Sequence, residues 1–93
     1  MSEKNLASKT LIRSLSATTT PKRVCASNPT RKRVYVQVTD SGTAYVTNAQ
    51  NSAYTDGIKV TSSLPFEDVT TTAEFWVVTS SSTAACIVQE DTD

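Results

Sequence analysis

The residues able to do covalent chemistry are few, and their spacing argues against a catalytic centre. A hydrolytic nucleophile needs an imidazole or an equivalent base beside it, and the chain has no histidine. The same lack removes the commonest zinc and copper ligand, so no metal or other cofactor is expected. Cys25 stands two residues from Arg23, whose charge could lower a thiol pKa, but the sequence positions no base beside it. Glu67 and Asp68 are a carboxylate pair of the sort that glycosidases place across a sugar. Adjacent residues of a strand point to opposite faces, so this pair is expected to guard an edge strand. With Gly42 and Gly57 as its only glycines, the chain cannot build a phosphate-cradling loop.

The Arg31-Lys32-Arg33 cluster could bind a phosphate backbone, with Tyr35 and Tyr45 as stacking surfaces. The domain as a whole is not basic and its acidic half would repel nucleic acid, so the cluster reads as a solvated or subunit-pairing surface. The charge distribution supports that reading. In residues 1–33, eight cations against one anion give +7; in residues 34–93, one cation against eight anions give −7. A net charge of zero therefore hides a strongly polar molecule. Such a chain attracts copies of itself head to tail, or a partner charged like one of its ends. The pattern points to assembly.

The elements that must position these residues are strands. Val occurs ten times and Thr sixteen, against four Leu. β-Branched side chains suit a pleated, half-buried surface. Ninety-three residues make one small domain of modest core, for which oligomerisation is a common means of stabilisation. No apolar run approaches the ~20 residues of a membrane span. The start Met1-Ser2-Glu3-Lys4 lacks the apolar stretch of a signal peptide, so synthesis in the cytosol without export is expected. Cys25 and Cys86 are then read as two small buried hydrophobes, with a bridge between them as the lesser alternative.

Residues 1–18 read as an N-terminal arm and residues 19–93 as the folded domain. Leu6, Leu11, Ile12 and Leu15 are spread among Ser, Lys and Arg without a clean period. With Arg13, they are expected to anchor the arm on a partner. Strands are expected over Lys22–Ala26, Arg31–Thr39, Thr43–Thr47, Ile58–Thr61, Phe66–Thr70, Glu74–Thr79 and Thr83–Gln89. In the second of these, Val34, Val36 and Val38 should face the core, with Tyr35 and Gln37 on the other side. Phe66–Thr70 should be an edge, because Pro65 lacks a donor and Glu67 and Asp68 discourage pairing. Glu90–Asp93 reads as an acidic tail. Seven short strands with polar turns predict an all-β fold, a small antiparallel β-sandwich or barrel.

The stretch Asn28-Pro29-Thr30-Arg31-Lys32-Arg33-Val34-Tyr35-Val36-Gln37 resembles an element of small all-β virion proteins of tailed bacteriophages. These carry an Asn-Pro-x-Arg turn running into an alternating strand. Further landmarks of that pattern match Thr43-Ala44-Tyr45-Val46, Gly57-Ile58, Phe75-Trp76-Val77-Val78 and Cys86-Ile87-Val88-Gln89-Glu90. The likeness spans roughly residues 20–90. Val38 and Pro65 depart from the family pattern, which has Asn and a Gly-rich turn there. The resemblance implies a non-enzymatic virion component, made in the host cytoplasm. A capsid decoration or cement protein is the leading expectation, and a tail, neck or adsorption component the alternative. A nucleic-acid or carbohydrate-binding module is the third option. The expected partners are copies of the chain itself, in a homo-oligomer such as a trimer, and the major capsid protein or another virion protein. Arg31, Arg33, Tyr35, Tyr45, Phe75 and Trp76 are the expected subunit interface.

Overall fold

A computed structural model of the protein describes residues 9–50 and 53–93. Eight strands run in chain order: β1 (Lys9–Ala17), β2 (Lys22–Cys25), β3 (Arg31–Val38), β4 (Ala44–Thr47), β5 (Ile58–Val60), β6 (Phe66–Asp68), β7 (Phe75–Val78) and β8 (Ala84–Thr92). The period-two pattern of β3 has the expected outcome. Val34, Val36 and Val38 are fully buried, while Tyr35 and Gln37 lie half-buried on the opposite face. On β8, Ala84, Cys86, Val88 and Glu90 form the inward row. Between β4 and β5 the chain makes one short 3-10 turn, Tyr54–Asp56. Among the described residues no helix is long and apolar enough to cross a membrane.

The strands form two four-stranded antiparallel sheets, ordered β1-β8-β3-β6 and β2-β7-β4-β5. In both sheets an early strand lies against a late one. β1 pairs with β8, β2 with β7, β3 with β6 and β4 with β5. This is one long four-strand-by-four-strand hairpin, rolled until β8 also meets β3 and β7 also meets β4. That order defines a jelly roll, a β-sandwich of two Greek keys. The core between the sheets is made of Val24, Val34, Val36, Val38, Val46, Val60, Val77 and Val88, with Ala17, Ala44, Ala84, both cysteines and Phe66 filling the gaps. Stacked β-branched side chains fill a space about 10 Å thick without long side chains.

Three expectations are corrected by this architecture. Residues 9–17, read as part of an arm, form β1, whose nine residues pair in unbroken register with β8 from Lys9–Thr92 to Ala17–Ala84. The surface that orders them belongs to the same chain. The segment 1–8, including Leu6, lies outside the described residues. Second, residues 90–92, read as tail, continue β8 along both β1 and β3. Third, Phe75 is no outward aromatic. It packs on the core, and its ring meets Phe66 of the other sheet edge-on at a centroid distance of 5.2 Å.

Candidate functional site

The Asn-Pro-Thr-Arg element builds a buried tie at one end of the sandwich. Asn28 Oδ1 accepts hydrogen bonds from the Thr30 amide at 3.0 Å and the Thr30 hydroxyl at 2.9 Å. The Arg31 amide donates to the Asn28 carbonyl at 3.1 Å, which closes the turn. Arg31 then points inward. Strict alternation from Val34 would put Arg31 on the outer face with Arg33 and Tyr35. A β-bulge prevents this: Arg33 lies opposite Asp91 and Arg31 opposite Thr92, so Lys32 is the extra residue. A bulge re-aims a side chain in this way.

The Arg31 guanidinium donates to the carbonyls of Ala26 (3.0 Å), Thr71 (3.2 Å) and Ala73, and lies 3.4 Å from Glu90 Oε2. It also sits 5.8 Å from the Phe75 ring centroid. One side chain therefore fastens the turn after β2, the loop before β7 and the inner row of β8. Arg31 is 5% exposed, so its expected place in a subunit interface is corrected.

Arg33 stays on the outer face. Its Nε lies 2.5 Å from Glu67 and its Nη1 3.4 Å from Asp91, and its guanidinium packs 5.1 Å from the Tyr35 ring centroid. The Glu67 hydrogen bond is the main reason the Arg33 pKa rises. Lys32 reaches Asp93 at 3.4 Å. At Asp91, partial desolvation is the largest single influence and acts upward. Hydrogen bonds from Gln89, Thr10 and Arg33 together outweigh it and hold the carboxyl below its ordinary 3.8. The basic cluster and the acidic C-terminal residues thus neutralise one another inside one chain. The Arg31-Lys32-Arg33 cluster, read as a solvated or subunit-pairing surface, is instead paired with carboxylates of its own chain.

Neither thiol is activated. Burial pushes the Cys25 pKa up, and the nearby Arg31 charge does not reverse it. Arg23, the cation expected to matter there, is exposed and lies opposite Trp76. Burial likewise raises the Cys86 thiol. Both cysteines are free, and they belong to different sheets.

The other expected interface residues lie on two separate faces. Tyr35 is on the outer face of the β1-β8-β3-β6 sheet, with its hydroxyl 3.1 Å from Gln37. Tyr45 and Trp76 are half-buried on the other sheet. Tyr45 is directly opposite Val78 and Trp76 opposite Thr47. The Trp76 indole N–H donates to Glu74 at 2.8 Å, and Tyr45 packs against Tyr54 at 5.2 Å. Gly57 allows the Tyr54 turn to lie on β4, because a Cβ there would sit 2.9 Å from Tyr45 Cβ and 3.0 Å from the Val46 carbonyl. Leu11 and Ile12 are more than half exposed on β1. Leu15 packs onto the core, and Arg13 donates across the sandwich to the Val24 carbonyl of β2.

A cleft of about 240 Å³ opens between the sheets where β5 and β6 form the edge. Val46, Phe66 and Phe75 line it, together with Asn48, Asp56 and the exposed Ile58. It falls below the ~300 Å³ at which ligand pockets usually begin. Sequence reasoning passed over this cleft, because the residues that line it come from separate stretches of the chain between residues 46 and 75. No protein-family model, curated protein or solved structure matches the chain.

Proposed function

We propose that this protein is a non-enzymatic structural component of a bacteriophage particle, in the first place a capsid decoration or cement protein. It would act by adhesion, joining copies of itself and a shell protein through exposed strand surfaces. The jelly-roll strand order carries the reading, because viral capsid domains use this architecture repeatedly. Lectins and cupins use it too, so the analogy is one of fold. The resemblance of Asn28–Gln37 to phage virion proteins narrows it. Within the fold, the Asn-Pro-Thr-Arg element serves the architecture: Asn28 and Arg31 hold loops through their side chains.

Counting copies in purified particles tests the proposal. Hundreds of copies per particle support a shell protein, six or twelve a tail, neck or adsorption component, and none removes the virion reading. A carbohydrate-binding role is the second reading, and its site would be the small cleft that Asn48, Asp56, Phe66 and Phe75 line. Titration of glycans against the protein, followed through the amide signals of Asn48 and Asp56, would detect it.

A further inference from the structure

A two-sheet sandwich has four edge strands, and each exposes backbone groups that can template another strand. Three of the four are guarded here. β5 and β6 have three residues each, and β6 is preceded by Pro65 and carries Glu67 and Asp68. β2 has four residues, follows Pro21, is bulged between Arg23 and Cys25, and carries Lys22 and Arg23. β1 is different. It is nine residues long and unbulged, contains no proline, and exposes Leu11 (59%) and Ile12 (63%). Its two cations share one row: Lys9 is exposed at the first residue of the strand, and Arg13 is already committed to the Val24 carbonyl. Among the described residues, no strand pairs with its outer side.

The hydrogen-bond phase shows which groups of β1 are free. The Thr39 amide donates to the Ala85 carbonyl, and the Asp93 amide to the Thr30 carbonyl. Odd-numbered residues of β8 therefore bond toward β3, and even-numbered ones toward β1. Across the register Ala17–Ala84, Leu15–Cys86, Arg13–Val88 and Leu11–Glu90, the odd residues of β1 use their backbone groups on β8. The N–H and C=O groups of Thr10, Ile12, Ser14 and Ser16 point away from the molecule.

We propose that β1 is a subunit-pairing edge whose occupant is a second copy of β1, antiparallel across a two-fold axis at Ile12. A two-fold perpendicular to the sheet keeps outer residues opposite outer residues, so only a few registers are open. Centred on Leu11, the pairing sets Lys9 against Arg13 of the other copy. Centred on Arg13, it sets the two Arg13 residues face to face. Centred on Ile12, it sets Ile12 against Ile12, Thr10 against Ser14, Leu11 against Arg13 and Lys9 against Leu15. No like charges are opposed, the exposed isoleucines cover each other, and the Ile12 and Thr10–Ser14 pairs exchange N–H···O=C bonds both ways. The two sheets containing β1 become one. The contact is two-fold, which a cyclic trimer cannot supply, and it stands whether or not the protein belongs to a phage particle.

A single strand pair is a small interface, so the full-length chain should sediment as a concentration-dependent dimer in the micromolar range. Ile12→Lys places two ammonium groups on the axis and should weaken the dimer roughly tenfold or more. The monomer fold, read by circular dichroism, should be unchanged because Ile12 faces solvent. Ile58→Lys, as exposed on the guarded β5, should leave the dimer intact. Mixing Ile12→Lys with Ile12→Glu should restore it. A short bis-maleimide should cross-link Ile12→Cys copies far faster than Ser14→Cys copies. Added salt should tighten the dimer, since it brings two cationic edges together. A native chain that stays monomeric at every soluble concentration overturns the proposal. So does a dimer indifferent to Ile12→Lys, preferential cross-linking at Ser14→Cys, or a dimer that salt weakens, which would mark β1 docking head to tail on the acidic β6.

Discussion

The cations of β3 and those of the β1–β2 edge come from the same basic stretch of chain and end in opposite circumstances. Arg31, Lys32 and Arg33 all meet carboxylates, because antiparallel pairing lays β3 beside the acidic end of β8 and beside Glu67 on β6. Among the described residues, Lys9, Arg13, Lys22 and Arg23 make no ion pair. One region is closed by its own chain, and the other stays cationic and carries the longest exposed edge. The charge split of the sequence therefore serves two purposes. One part of it is neutralised inside the fold, and the other leaves the β1–β2 edge cationic.

Four measurements would break or sharpen that comparison. The largest effect should come from Arg31→Ala. It leaves Glu90 and several loop carbonyls buried without their donor, so unfolding in urea should show a loss of about 3–5 kcal/mol. Arg31→Lys should not restore stability, because an ammonium cannot reach the carbonyls of Ala26, Thr71 and Ala73 and the Glu90 carboxylate together. A loss as small as that of a surface pair would mean the buried tie is not the anchor of this end.

Arg13→Ala should cost less, about 1–2 kcal/mol, because it leaves a single part-buried carbonyl, that of Val24, without this donor. Thermal unfolding compared with Lys9→Ala, which should change little, isolates the cross-sheet bond from the charge. Arg33→Ala should cost about 0–1 kcal/mol, since its ion pairs are partly solvated and its side chain is 31% exposed. A cost equal to that of Arg31→Ala would erase the distinction between inner and outer arginines.

The smallest effect concerns pH. The Asp91 pKa is lower in the fold than its ordinary 3.8, so folding favours its charged form. That contribution is present above the unfolded value and is lost as pH falls through the lower folded value. Unfolding free energies of the native chain and Asp91→Asn should therefore converge on acidification from pH ~5 to ~2. Parallel curves would show that the carboxylate makes no net contribution.

The strands built on alternation were readable residue by residue. Val34, Val36 and Val38 declared β3, and Ala84, Cys86 and Val88 declared β8, because period two is a local consequence of the pleat. The edge character of β6 was equally local, written in Pro65, Glu67 and Asp68. β1 was not readable in this way. Its inward row of Leu11, Arg13, Leu15 and Ala17 mixes a cation with apolar residues, and the strand that completes it begins at Ala84. Arg31 misled for a related reason: its inward turn depends on a one-residue bulge measured against Asp91 and Thr92, which no window around residue 31 contains.

Composition and spacing alone determined that this chain is an antiparallel all-β fold, a sandwich or a barrel, and that it has no histidine for catalysis. Those properties follow from side-chain shape, from alternation and from which functional groups are present. Tertiary structure alone decided that residues 9–17 become an edge strand, that Arg31 is a buried tie while Arg33 stays outside, and that β1 keeps an unpaired ladder among the described residues. Each of these is a matter of which distant strand lies alongside, and pairing partners in a rolled sheet are chosen by the whole fold.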